Sequence, residues 1–404
     1  MQQVPSNRRI ILPFFIVIII DAMSIGMVTP VLAPLVYQPS GILLGFTAQA
    51  RHLLFGLILG LGPICFMLGA PIWGYCSDHY GRKKIILCCI SGTLISFICY
   101  YLSFKFNCLT LIFIGRIIDG FTSGSQGVAQ AAIADISQGK QKAANMGVIA
   151  VAMTIGLVAG PFIGGVFSEA HWGFNNTTPF LLAILLSLLN IIVFFTLLIE
   201  TNTTKATSMS FGKQCISALH QPSVRWLMIG FFLFELAWSL YFQSLNLVLV
   251  NAFHASNHLL GIFSLYIGVV LSLGLIYLVR ASIHRWSLSR TLVINQLVMA
   301  LSFVGLLCLP WLTAQWLFAT SIALSVALIY PAFIARISDN LPAEQQGFIL
   351  GLTDAALALA FAISGFLAGW LSYFNIHLPT LVCLVTILLG NHFADFRSSI
   401  NEEI

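Results

Sequence analysis

The sequence predicts an all-α polytopic membrane protein, with twelve transmembrane helices in two pseudo-symmetric six-helix halves. Three observations carry this expectation. The 404 residues are 59% hydrophobic and only 8% charged, with a mean hydropathy of +0.96, whereas a soluble domain carries roughly 25% charged residues. Apolar runs long enough to cross a bilayer, which takes about 20 residues, recur along the whole chain. Lys and Arg fall almost entirely between alternate runs, as the positive-inside rule asks of a multi-pass protein.

The runs lie at 10–36, 53–75, 85–104, 109–134, 144–167, 179–199, 224–250, 259–279, 290–308, 310–335, 347–370 and 378–394. The first is longer than the apolar region of a signal peptide and has no A-x-A-type cleavage site, so it reads as a retained helix. Pro310 alone marks the break between the ninth and tenth. With the N-terminus inside, fifteen of the eighteen Lys and Arg residues are cytoplasmic, Arg51 and Lys105 are external, and Arg116 lies within a span. That distribution puts both termini in the cytoplasm and the protein in a cytoplasmic (inner) membrane, since outer-membrane proteins are barrels.

The polar stretch Thr201 to Pro222 divides the chain nearly in half. It suggests an N-terminal half at 1–200, a cytoplasmic linker at 201–223 and a C-terminal half at 224–404. A weak internal repeat agrees: Ala134-Asp135-Ile136-Ser137 is echoed by Arg336-Ile337-Ser338-Asp339, each followed by a Gly-rich helix.

Charges inside the spans are the first functional signal, because a carboxylate near the bilayer centre costs roughly 3 kcal/mol or more. Asp21 lies eleven residues into the first span, about 17 Å along a helix. Glu235 lies at nearly the same depth in the seventh. Arg116 and Asp119, one turn apart in the fourth, can neutralise one another. Asp354 lies within two turns of the start of the eleventh. A carboxyl group in apolar surroundings is favoured in its protonated form, so such a group can exchange a proton for substrate without a covalent step. Gln126, Trp238 and Tyr241, with Phe242, Gln130, Gln243 and Asn246, are candidate contacts for a flat or lipophilic compound; helix packing is the alternative role for each.

Between the second and third spans stands Gly74-Tyr75-Cys76-Ser77-Asp78-His79-Tyr80-Gly81-Arg82-Lys83-Lys84, expected as a tight polar turn. Gly74 is expected to let another helix approach closely, and Gly81 to supply a turn conformation that a Cβ resists. The stretch resembles the loop signature G-x-x-x-D-r-x-G-r-k of the major facilitator superfamily, with His79 in place of a basic residue. The fourth span resembles that family's l-x-x-x-R-x-x-q-G motif through Arg116 and Gly120, with Asp119 where Gln is usual. The fifth contains Gly156-Leu157-Val158-Ala159-Gly160-Pro161-Phe162-Ile163-Gly164-Gly165. It resembles the G-x-x-x-G-P-x-x-G-G motif of the drug:proton antiporter branch. The first span, with its embedded acid and Pro30 and Pro34, is similar to the first helix of that branch.

The resemblance implies the major facilitator fold and proton-coupled export of a small amphipathic compound by alternating access. Asp78 is then expected to cap the eleventh helix near Gly347, with Arg82 paired to an acid such as Asp135, as a cytoplasmic gate. A siderophore, nutrient or metabolite transporter of the same fold, including an importer, stays open at this point, as does a receptor or channel. The partners expected are a small-molecule substrate, protons and the bilayer. The protein is expected to be a monomer without cofactor, metal or nucleic acid. The nine cysteines make no metal-ligand spacing with His, and no nucleotide-binding P-loop or nucleophile motif argues for an enzyme.

Overall fold

The computed structural model describes residues 7–38, 40–135, 139–169, 173–197, 222–279, 282, 285–339 and 346–395. The helices are α1 (Asn7–Tyr37), α2 (Ala48–Tyr80), α3 (Arg82–Phe106), α4 (Leu109–Thr122), α5 (Ser125–Asp135), α6 (Gly139–Val166) and α7 (Thr178–Leu197), then α8 (Pro222–Phe253), α9 (Asn257–Leu273), α10 (Leu288–Cys308), α11 (Leu312–Asp339), α12 (Gln346–Phe374) and α13 (Leu378–Asp395). A π-helical turn, Gly274–Leu278, extends α9. Among the described residues nine helices are long and apolar enough to cross a membrane, and Val151–Val166 and Leu378–Phe393 are shorter apolar helices. Each expected span has a helical counterpart, and Pro310 does separate α10 from α11. The linker expected at 201–223 lies outside the described residues except for its end, which opens α8.

Two expectations need correction. The fourth span is two helices, because the chain turns at Ser123 and Gly124. The Thr122 hydroxyl donates to the Ile118 carbonyl and that of Ser123 to the Asp119 carbonyl, both at 2.8 Å. Such side-chain bonds compete with the helical ladder, and Gly124 lies so close to α2 that a Cβ there would stand 2.9 Å from Trp73. The stretch 74–80 is not a turn but the end of α2. Only Gly81 departs from the helix, at φ 98°, so a single residue links α2 to α3.

By internal packing the chain divides into two compact units. The first comprises residues 1–51, 61–207 and 255–265, the second 52–60, 208–254 and 266–404. In the first, α1 packs on α6, and α3 on α4 and α7. Its core gathers Phe14, Ile18, Ile86, Ile90, Ala129, Ile133 and Phe194, all buried. In the second, α8 packs on α12 and α13, and α10 on α11 and α13. Residues 52–60 of α2 belong to this unit, where Gly56 meets Gly369 and Gly60 meets Gly365 of α12.

Candidate functional site

In the first unit, α1, α3, α4 and α5 converge on a buried polar cluster. Asp21, Arg116 and Asp119 are 1%, 3% and 2% exposed, so water does little to stabilise their charges. Asp21 accepts a hydrogen bond from the Thr93 hydroxyl of α3 at 3.2 Å on one oxygen and from Ser125 on the other. The Ser24 hydroxyl donates to the Asp21 carbonyl at 2.7 Å. Arg116 and Asp119 approach to 3.7 Å, the pairing expected from their spacing, and Tyr100 donates to the same Asp119 oxygen, Oδ2, at 3.2 Å. Among the described residues Arg116 Nε has no acceptor. Asp21 and Asp119 are close enough to repel one another when both are ionised. The cluster then holds two negative charges against one positive, and a single proton neutralises it.

The break between α4 and α5 builds this site. It leaves Arg116 and Asp119 on one helix and restarts the next at Ser125, whose hydroxyl faces Asp21. Sequence reasoning missed Thr93, Ser125, Ser24 and Tyr100. A hydroxyl within a span is too common to single out, although the run Thr122-Ser123-Gly124-Ser125 marks the break.

The antiporter-like motif seats the helix that carries Asp21. Gly156, Gly160 and Gly164 of α6 lie against the backbone of α1 at Ile19, Met23 and Met27. A Cβ on Gly160 or Gly164 would stand 3.0 Å from the carbonyl carbon of Met23 or Met27, and one on Gly156 2.6 Å from the Ala22 Cβ. Both helices advance by four residues per contact, so they run parallel with ridges interlocked. Pro161 does not break α6; its ring seats on Gly26, where an added Cβ would meet its Cγ at 2.5 Å. Gly165 faces Gly261 of α9 at a similar closeness.

At the end of α2, buried Arg82 pairs with Asp78 at 2.7 Å and donates to the Ser77 hydroxyl. The resemblance assigns Arg82 to Asp135, whose side chain, like those of Gln126 and Gly347, lies outside the described residues. Among the described residues no helix approaches Gly74: none of their atoms lies within 4 Å of where its Cβ would stand. Because α2 continues through this residue, the close approach to α4 is made elsewhere, by Gly69 against Phe121 and by Trp73 Nε1 donating to the Phe121 carbonyl at 2.8 Å.

In the second unit, Glu235 of α8 is 2% exposed, and among the described residues no hydrogen bond or ion pair reaches its carboxyl. Tyr330 of α11, which sequence reasoning missed, lies within electrostatic reach of both Glu235 and Asp354 of α12. Asp354 is exposed. Trp238 and Phe242, three and seven residues beyond Glu235, share its face of α8 and contact each other at 5.6 Å. Tyr241 meets Trp238 at 6.2 Å but lies on another face of α8. Six residues at 100° each turn it about 120° away, and it packs on Phe303 at 5.7 Å, 3% exposed. Gln243 is committed to packing, donating to the Phe361 carbonyl and the Ser364 hydroxyl of α12 at 3.1 and 2.6 Å.

The sequence pattern of the Major Facilitator Superfamily matches residues 14–365. A class H tetracycline resistance protein of Pasteurella multocida is 24% identical over 392 residues, covering 90% of this chain and 91% of that protein. A class C tetracycline resistance protein of Escherichia coli is 27% identical over 358 residues, 86% of this chain and 85% of that one. Among solved structures, a D-xylose-proton symporter shares the fold with a TM-score of 0.79 at 16% identity, over 96% of this chain and 97% of that chain. With twelve apolar spans, buried intramembrane charges and a family pattern over most of its length, the chain belongs to the Major Facilitator Superfamily and is a multi-pass membrane transporter, not an enzyme.

Proposed function

We propose that this transporter exports a small amphipathic compound in exchange for protons, by alternating access of two six-helix halves at 1–200 and 224–404. The observation that carries the reading is the buried trio of Asp21, Asp119 and Arg116. Its charges balance only when one carboxyl is protonated, and three hydroxyls are placed to receive the carboxylates once the proton leaves. Arg116 stabilises whichever carboxylate is ionised, and Thr93 and Ser125 compensate Asp21 for lost water. Proton release therefore changes the charge of a dry site, which favours exchange for substrate over free ionisation. Asp78 and Arg82 act as a gate at the α2–α3 link, together with Asp135. The protein works as a monomer in the cytoplasmic membrane with both termini in the cytoplasm. The tetracycline resistance proteins among its relatives make tetracycline the first compound to test.

The test uses purified protein in liposomes carrying a pH gradient, with tetracycline and a panel of other amphiphiles. Substrate addition is expected to release protons with wild type, and at least about tenfold more slowly with Asp21→Asn. Equal rates for the two proteins would overturn the assignment of Asp21. A gradient unmoved by every compound would remove drug-like export.

A further inference from the structure

The second unit contains a polar cavity that proton exchange at Asp21 does not involve. It lies where α10 ends and α11 and α13 begin, and α8 forms one wall. Its polar lining is Tyr241 and Ser244 of α8, Gln315 of α11, His377 just before α13 and Thr380 within it, with Leu306 of α10 on the apolar side. The cavity measures about 10 Å³, the room that one water-sized occupant needs. His377 is exposed, so the cavity reaches the surface beside it.

Tyr241 distinguishes this space from a packing gap. It is 3% exposed, and its hydroxyl has no hydrogen-bond partner among the described residues. Buried polar groups left in that state are costly and rare. Gln315 and Thr380, both buried, make no side-chain hydrogen bond among the described residues either. Three polar groups from three helices thus meet one small space without satisfying one another.

The surroundings define the charge of the occupant. A phenol, a hydroxyl and a carboxamide each have a hydrogen to donate, and an imidazole donates in either protonation state. Of the polar lining only Ser244 is committed, donating to the Leu240 carbonyl at 2.7 Å. No carboxylate lines the cavity. The described acids Asp339, Asp354 and Asp395 lie toward the far ends of α11, α12 and α13. Glu235 is six residues before Tyr241, about 9 Å along the axis. Gln315 and Thr380 fall within the first four residues of α11 and α13, where the helix dipole favours an anion, and these two helix starts oppose the single helix end of α10. A metal cation is a poor fit, since among the described residues no group of three His, Cys, Asp or Glu side chains is placed to hold one.

We propose that this cavity is a binding site for one small monovalent anion of the size and charge of chloride. Tyr241, Gln315 and Thr380 donate to the ion, and His377 completes the donor set on the surface side. The bound ion ties α8, α11 and α13 together at this end of the unit, so its binding stabilises the folded protein. A large organic anion such as gluconate does not fit. The site does not depend on the transport reading above.

The experiment is thermal unfolding of the full-length protein in phosphatidylcholine nanodiscs, with sodium gluconate exchanged for sodium chloride at constant ionic strength. The melting temperature is expected to rise with chloride and to saturate. The native protein should also broaden the chloride NMR line, and bromide should reverse the broadening. Tyr241→Phe is expected to raise the chloride concentration at half-saturation about tenfold or more, because it removes a hydrogen bond to a charged group. Thr380→Val should act in the same direction. Thr386→Val is the control: its hydroxyl is committed to the Val382 carbonyl at 2.8 Å, and its chloride response should match wild type. Each variant is compared with itself in gluconate, so a change in its basal stability does not enter. A melting temperature indifferent to chloride, with no line broadening, would assign the cavity to water and overturn the proposal. A chloride response unchanged by both Tyr241→Phe and Thr380→Val, or lost equally in Thr386→Val, would overturn it as well.

Discussion

At the residue scale, the arrangement around Asp21 is notable for where its hydrogen bonds come from. Thr93 and Ser125 approach from two other helices, and each satisfies a different carboxylate oxygen. A hydrogen bond to a charged group is worth about 1.5–3 kcal/mol, so removing one weakens the ionised state enough to be measured. Ser125→Ala is expected to slow proton-coupled transport by about tenfold or more, with protein yield and melting temperature near wild type, in the liposome assay. Arg116→Lys should be nearly as damaging as Arg116→Ala, because a lysine keeps the charge but loses the planar fork that faces both Asp119 and its surroundings. Equal activity of Arg116→Lys and wild type would mean that only charge matters there. Asp21, Arg116, Asp119 and Glu235 were legible in the sequence because a charge inside an apolar run is conspicuous. Thr93, Ser125 and Tyr330 were not, since their importance comes from which residues they face across the bundle, and spacing along one helix carries no such information. Tyr241 was expected either to contact a substrate or to pack between helices, and spacing alone did not show that it turns away from Glu235 toward Phe303.

At the element scale, glycine does two distinct jobs, and the motifs that contain it do not say which. In α6 it removes side chains so that α1 can lie against the backbone; at position 81 it supplies a conformation. Gly160→Leu should force α1 and α6 apart, lower the melting temperature and abolish transport, since even a Cβ there meets the Met23 backbone. Gly81→Ala should destabilise by about 1–3 kcal/mol, because φ 98° is a region closed to most side chains. Gly74→Ala, in the same motif, is expected to leave the melting temperature unchanged or slightly higher. Its Cβ meets nothing among the described residues, and alanine favours a helix interior by about 1 kcal/mol over glycine. A fluorescence-based melting assay distinguishes the three. The Gly–Pro pattern of α6 was legible as a close-packing surface. That its partner would be the Asp21 helix, and that the fourth span would break at Ser123–Gly124, depended on contacts that the linear pattern does not specify.

At the scale of the whole molecule, the directions of packed helices test the order of the spans. α1 and α6, the first and fifth spans, run parallel, as two odd-numbered crossings must. α3 and α7, the third and sixth, are antiparallel: Lys83 donates to the Phe195 carbonyl and Tyr100 meets Phe180. In the second unit α8 and α13, the seventh and twelfth, are antiparallel through Trp226 with Phe393 and Gly230 with Gly390. An omitted or extra crossing within either set would have reversed one of these relations. The count was legible because hydropathy and the placement of Lys and Arg constrained it independently. The proposed topology has both termini in the cytoplasm, so reporters fused to the N- and C-termini should be active only if they function there. Activity of either one on the outer face would reverse the assigned topology.

The contact of Gly26 with Pro161 leads to an expectation in genetics. The two residues belong to different helices and fill one shared volume, since any side chain added at 26 falls on the ring at 161. An inactive Gly26→Ala protein placed under selection for regained transport should therefore yield revertants that shrink position 161, Pro161→Gly or Pro161→Ala, more often than changes anywhere else in α6. Such pairs would be allele-specific: the altered 161 should rescue Gly26→Ala while giving no benefit to Gly160→Leu, whose obstruction lies one turn of α1 earlier.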